Sequence, residues 1–251
     1  MTLLDIAIYF LAGFIGSAIN SVAGGGTFLT FPLLILNGMS ALQANIMSTI
    51  ALWPGSVASA LAYKSERNID KAQLRRFITI SILGSIVGTT TLLLTPEQTF
   101  EGLVPWLLLF ATLLFTFGRN LKLPESSTHH GAWLGFLLQF VIAVYGGYFG
   151  AGIGILMLAM LQLMGFTHIH QMNALKTILG STINAVAFIM FLFSGKVIWA
   201  VAAVMIAGAL AGGYFGAKFA LRISPAKVRI IVCVIGFVMT AYFFAKEFSL
   251  M

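Results

Sequence analysis

Two glycine-rich breaks interrupt a chain that is otherwise a near-continuous series of apolar segments. The first is Asn20-Ser21-Val22-Ala23-Gly24-Gly25-Gly26-Thr27, running on into Phe28-Leu29-Thr30-Phe31-Pro32. The second is Gly146-Gly147-Tyr148-Phe149-Gly150-Ala151-Gly152-Ile153-Gly154. Consecutive glycines weaken a helix and free the backbone to turn. In lipid, such a break leaves N–H and C=O groups that hydrocarbon cannot satisfy. Neighbouring protein, water or a bound solute must therefore compensate at each one.

Lipid is the right solvent to consider. The 251 residues are 59% hydrophobic and 8% charged, with a mean hydropathy of +1.00. A soluble domain carries about 25% charged residues. The apolar segments fall at 4–22, 28–37, 43–62, 77–94, 103–118, 132–149, 154–165, 171–193, 198–217 and 228–246. Their lengths suit helices and not the ~10-residue alternation of a barrel strand. The expectation is an all-α polytopic membrane protein, one integral membrane domain over 1–251. The formal charge of +7 sits in short loops, where the positive-inside rule accounts for it without nucleic acid. The lone Cys233 excludes an internal disulfide and a cysteine-built metal site. The opening Met-Thr-Leu-Leu-Asp lacks the basic start of a signal peptide, so the first segment is expected to be retained.

Segments 28–37 and 154–165 are too short to span, reaching about half of a ~30 Å hydrocarbon core. Each follows a glycine break, which makes the breaks tips of re-entrant pairs. Lys64, Arg67, Lys71, Arg75 and Arg76 mark 63–76 as a cytoplasmic loop, as do Arg119 with Lys122, and Lys218, Arg222, Lys227 with Arg229. Counting crossings between those loops puts the amino terminus and 38–42 outside and 164–171 inside. Each half, 4–119 and 132–246, then holds one re-entrant pair plus three crossings. An odd number of crossings inverts the second half, giving two inverted-topology repeats. Residues repeat too. Asn45-Ile46-Met47-Ser48-Thr49-Ile50 matches Asn173-Ala174-Leu175-Lys176-Thr177-Ile178; Gly24 and Gly26 match Gly152 and Gly154; Gly84 and Gly88 match Gly208 and Gly212; Thr95-Pro96 matches Ser224-Pro225.

Ala-Gly-Gly-Gly-Thr, then Phe-Pro-Leu-Leu, then an Ala-Asn-x-x-x-Thr helix, echoed in the second half, resembles the sulfite exporter TauE/SafE family from Ala12 to about Lys246. The resemblance implies an inner-membrane permease of small anions, in some members sulfite or organosulfonates. The chain departs from the commoner pattern in carrying Lys176 where the first repeat has Ser48.

The breaks suit an anion on physical grounds. A half-helix starting at Thr27 or Ile155 aims unpaired N–H groups and its positive dipole end at the tip. Gly24, Gly25, Gly26, Gly152, Ile153 and Gly154 allow close backbone approach, although the same glycines also serve tight helix packing. Asn173, Lys176, Thr177, Gly180 and Asn184 fall on one helical stripe, where an intramembrane lysine is a candidate countercharge. Its other reading is snorkelling to the cytoplasmic interface. Asn45, Ser48, Thr49 and Ser56 form the first-half stripe, with Trp53-Pro54-Gly55 expected to interrupt that helix. These residues, with Asn20 and Ser21, read equally as oxyanion donors or as interhelical hydrogen bonds.

His129-His130 and His168-Ile169-His170 lack carboxylate or cysteine neighbours, so no metal or cofactor is expected. No nucleophile–base set, phosphate loop or zinc motif points to an enzyme. The expected function is secondary transport, outward, of small anions by rocking of one half over the other. The alternatives are a permease or channel for another solute, or a membrane subunit without transport. The expected partners are the anion and the bilayer; a homo-oligomer is compatible with the sequence.

Overall fold

The computed structural model describes residues 1–62, 70–117, 130–219 and 225–249. Among them are ten α-helices: α1 (Leu3–Ala23), α2 (Thr27–Leu36), α3 (Ala41–Ala62), α4 (Lys71–Leu94), α5 (Glu97–Phe117), α6 (His130–Tyr148), α7 (Ile153–Leu163), α8 (Ile169–Leu192), α9 (Trp199–Phe219) and α10 (Pro225–Ser249). Every expected apolar segment is a helix. α2 and α7, of 10 and 11 residues, are about 15 and 16 Å long, half a bilayer core. Among the described residues five helices are long and apolar enough to cross a membrane: α1, α4, α5, α8 and α9. α3 is not among them despite its 22 residues, because Gln43, Asn45, Ser48, Thr49 and Ser56 dilute its apolar character.

Three expectations are corrected. α4 starts at Lys71 and not at 77, because the Asp70 carboxylate accepts the N–H groups of Ala72 and Gln73 at 3.1 and 3.2 Å. This N-cap carries the helix six residues beyond its apolar run. Lys71, Arg75 and Arg76 therefore lie on a helix, as do Glu97 and Glu101 at the start of α5. Secondly, α7 begins at Ile153, two residues before the expected start. Thirdly, Trp53-Pro54-Gly55 does not interrupt α3, which runs on through Pro54. One missing N–H is tolerated where neighbouring helices enclose the bend. The expected cytoplasmic signals at Lys64, Arg67, Arg119, Lys122 and Arg222, and His129, fall outside the described residues.

The helices pack across the two halves of the chain. α1 packs most extensively on α9, and α4 on α6. Gly208, Gly212 and Gly216 of α9 meet Phe10, Phe14 and Ala18 of α1, so the two helices run parallel. Gly84 and Gly88 of α4 meet Phe140 and Val144 of α6, again parallel. By contrast α5 and α10 are antiparallel. Trp106 stacks edge-on against Phe244, while Thr116 donates to the Cys233 sulfur at 3.3 Å. α3 and α8 are antiparallel as well: Trp53 contacts Ser181 and Phe188, while Gln43 near the start of α3 donates to the carbonyl of Lys196, beyond the end of α8.

α2 is the core element. Phe28, Phe31 and Leu34 are fully buried, with Phe31 edge-on to Phe149 at 5.4 Å and Phe28 tilted against Phe115 at 5.6 Å. Leu83, Val87 and Leu94 of α4, and Ile230, Val234 and Val238 of α10, point outward. Apolar stripes on both the inner and outer faces are what a helix in lipid carries.

Candidate solute cavity

The protein itself compensates much of each break. Around the second, Asn45 Nδ2 donates to the Tyr148 carbonyl at 3.0 Å, Thr89 to Gly147 at 3.2 Å, and the Tyr145 hydroxyl to Ala151 at 2.8 Å. Around the first, Thr30 Oγ1 donates to the Gly26 carbonyl at 3.3 Å and Ser21 to Ala18 at 2.9 Å. The carbonyls are thus partnered by α3, α4 and local hydroxyls. The donors are not. The N–H groups of Gly25, Gly26 and Thr27, and of Ile153 and Gly154, make no hydrogen bond among the described residues. These are the positive ends of α2 and α7.

Both ends border one cavity of about 90 Å³. α1 and its tip contribute Asn20, Ser21 and Gly24, with Thr27 opening α2. α3 contributes Thr49, Leu52, Trp53 and Ser56. From the other half come Phe149, Gly150, Ile153 and Gly154, and α8 adds Lys176, Thr177, Gly180, Ser181 and Asn184. The stripe expected on α8 therefore faces the cavity from Lys176 to Asn184.

Among the described residues Lys176 is its only ionisable lining side chain. The stem lies against the start of α7: a Cβ on Gly154 would stand 3.2 Å from Lys176 Cδ. The residue is half-buried, and its ammonium makes no hydrogen bond or ion pair among the described residues. Among the described residues no carboxylate lines the cavity. The hydroxyl protons of Ser21, Ser56 and Thr177 are already donated to the carbonyls of Ala18, Leu52 and Asn173, and Asn20 donates to Ser56 at 2.9 Å. It is therefore the cation and the two helix N-termini that suit the compartment to a small anion.

The remaining expected residues lie elsewhere. Gly25 is turned toward Phe115 and Val232, Gly26 toward the Gly16 carbonyl, and Gly152 toward Ala111. Ser48 is fully buried and its hydroxyl pairs with that of Thr30. Asn45 is 2% exposed and holds the Tyr148 carbonyl, its own Oδ1 lacking a partner. Asn173 lies one turn below Lys176 on α8, outside the lining, and its carbonyl accepts from Thr177 at 2.8 Å. Sequence reasoning did not assign Trp53 or Ser181 to the site. Trp53 Nε1 donates to the Ser181 carbonyl at 3.1 Å, and its ring lies 4.6 Å from that of Phe188. The signal available was position: Trp53 aligns with Ser181 when Thr49 is aligned with Thr177.

Among the described residues there is no cluster of three or more histidine, cysteine or acidic residues that could hold a metal ion.

Comparison with known proteins is consistent with this architecture. The model of the sulfite exporter TauE/SafE family matches residues 9–243. A "Probable membrane transporter protein" of Haemophilus influenzae is 30% identical over 239 residues, covering 94% of this chain and 93% of the relative. The "Probable membrane transporter protein ORF9" of a Sinorhizobium species is 28% identical, over 86% of this chain and 83% of the relative. In Escherichia coli K12, "Probable membrane transporter protein YfcA" is 24% identical, over 94% and 88%. No solved structure matches the chain. A multi-pass helical membrane protein with this match along nearly its whole length belongs to the sulfite exporter TauE/SafE family.

Proposed function

We propose that the protein is a secondary transporter of the cell inner membrane that moves small anions, such as sulfite or a small organosulfonate, outward by alternating access. The observation that carries this reading is the convergence of two unpartnered helix N-termini on one cavity beside an unpaired Lys176. The anion sits between Thr27 and Ile153, with Lys176 supplying the full charge and Asn20, Thr49, Ser56, Thr177 and Asn184 within the same wall. Asn45 positions the second tip by holding the Tyr148 carbonyl.

The two halves are inverted repeats in this reading. It is supported by helix direction: α5 against α10 and α3 against α8 are antiparallel, as a two-fold axis lying in the membrane plane requires of corresponding helices. The matching of α1 on α9 with α6 on α4 supports it further.

Efflux of sulfite from proteoliposomes holding the purified chain tests the proposal. Sulfite release above that of protein-free vesicles is expected, and competition by small sulfonates with it. Release equal to the protein-free control, for sulfite and for methanesulfonate alike, would refute the reading.

A further inference from the structure

We propose that Lys176 is a proton-carrying countercharge: the anion crosses paired with protonated Lys176, and the emptied carrier returns with the amine neutral. The inference rests on the transport reading of this cavity and adds how its charge is balanced.

Among the described residues the cavity has one ionisable lining group. Lys176 reaches it from α8, and the first-half counterpart Ser48 is buried against Thr30. The elements packed on α8 are α3, α4, α6 and α7. α3 and α7 carry no ionisable side chain. α6 carries Tyr145, Tyr148 and, at its start, His130; the Tyr145 hydroxyl is already donated to Ala151 at 2.8 Å. α4 carries only the cations Lys71, Arg75 and Arg76, in its first two turns. On α1, which also lines the cavity, the ionisable groups are Asp5 and Tyr9 near its start. Asp5 is fifteen residues from Asn20, about 22 Å along the helix. Among the described residues no fixed anion stands where it could neutralise Lys176.

An ammonium without a partner is disfavoured where it is drawn out of bulk water, and an anion bound beside it offsets that cost. The loaded carrier therefore holds a charged lysine and the empty one does not. On the loading face the Nζ lone pair takes one proton from water and the anion binds. On the other face the anion leaves and the N–H bond breaks, returning the proton to water and the electron pair to nitrogen. One proton and one negative charge have moved in the same direction. The dipoles of α2 and α7 are present in every state and do not alter this balance. Net movement then follows the product of anion and proton concentrations on the two faces, so an acid exterior opposes efflux and membrane potential does not act on it.

The test uses the full chain in proteoliposomes loaded with labelled methanesulfonate, which stays singly charged across the working pH range. Potential is set by potassium and valinomycin, and interior pH is read by a trapped dye. Net efflux is expected to be unchanged by an inside-negative potential and to alkalinise the interior. Arginine does not deprotonate at these pH values. Lys176→Arg is therefore expected to lose net efflux while keeping exchange of labelled for unlabelled methanesulfonate, a split that mere misfolding cannot produce. Lys176→Met is expected to lose both at wild-type thermal stability. Efflux that speeds up with inside-negative potential and leaves interior pH unchanged overturns the proposal while leaving transport standing. So does wild-type net efflux by Lys176→Arg. Absence of any wild-type flux of methanesulfonate or sulfite overturns the transport reading, and this inference with it.

Discussion

Replacing Gly212 with alanine opposes two effects whose sizes can be compared. Alanine is a better helix former than glycine by about 1 kcal/mol, which alone would stabilise α9. The new Cβ, however, would stand 2.0 Å from the Phe14 carbonyl oxygen and 2.6 Å from its carbon. An ordinary carbon–oxygen contact is about 3.3 Å, so α1 and α9 would have to separate by about 1.3 Å at that point. Gaps of 0.5 to 1 Å already forfeit a quarter to a half of each dispersion contact. Gly208 and Gly216 sit one turn to either side, with Cβ positions 2.1 Å from Phe10 and 2.6 Å from Ser21 Oγ, so the loss spreads along the interface. Overpacking of this kind costs about 2–3 kcal/mol, which leaves a net loss of about 1–2 kcal/mol. Reversible unfolding in mixed detergent micelles reads this directly. Gly180→Ala on α8 is the control: nothing lies within 4 Å of its Cβ, so stability should hold or rise while the cavity shrinks. Equal stability of Gly212→Ala and wild type would refute the close approach of α1 to α9.

Asn45→Ala should lower stability by about 1 kcal/mol in the same assay, because it removes the partner of the part-buried Tyr148 carbonyl. Trp53→Phe keeps the ring against Phe188 but loses the 3.1 Å bond to Ser181; about 1 kcal/mol of stability should go, and solute affinity measured by efflux should change with it. Single cysteines at Asn37 and Ser194, in a Cys233→Ser background, should react with an impermeant maleimide from one face of the membrane, and one at Thr167 from the other. Labelling of all three from the same face would rule out the inverted arrangement.

The half-helices were legible because two independent signals coincide there, a glycine break and an apolar run too short to span. The α8 side of the cavity was legible for a similar reason, since Lys176, Thr177, Gly180 and Asn184 share one helical face. Helix ends were less so. Hydropathy stops where charges begin, whereas the cap at Asp70 carries α4 on through Lys71 and Arg76. Pairing by repeat also misled in detail. Asn45 and Asn173 align, yet Asn45 is committed to a carbonyl on the opposite half and neither side chain lines the cavity. Such a contact joins residues 103 positions apart, and no local pattern encodes it.

The glycine contacts carry a mechanical consequence. Because α1 seats on α9 and α6 on α4 through backbone-to-backbone contact, each stiff pair takes one helix from either half of the sequence. The chain is braided, and its halves cannot part as two blocks. A pair locked at glycine after glycine moves as a unit, so in the proposed transport cycle the moving bodies would be cross-half pairs, and not one sequence half rocking over the other. Two fragments, ending at 117 and beginning at 130, would each present an unfilled groove along its length, and should be competent only when made together.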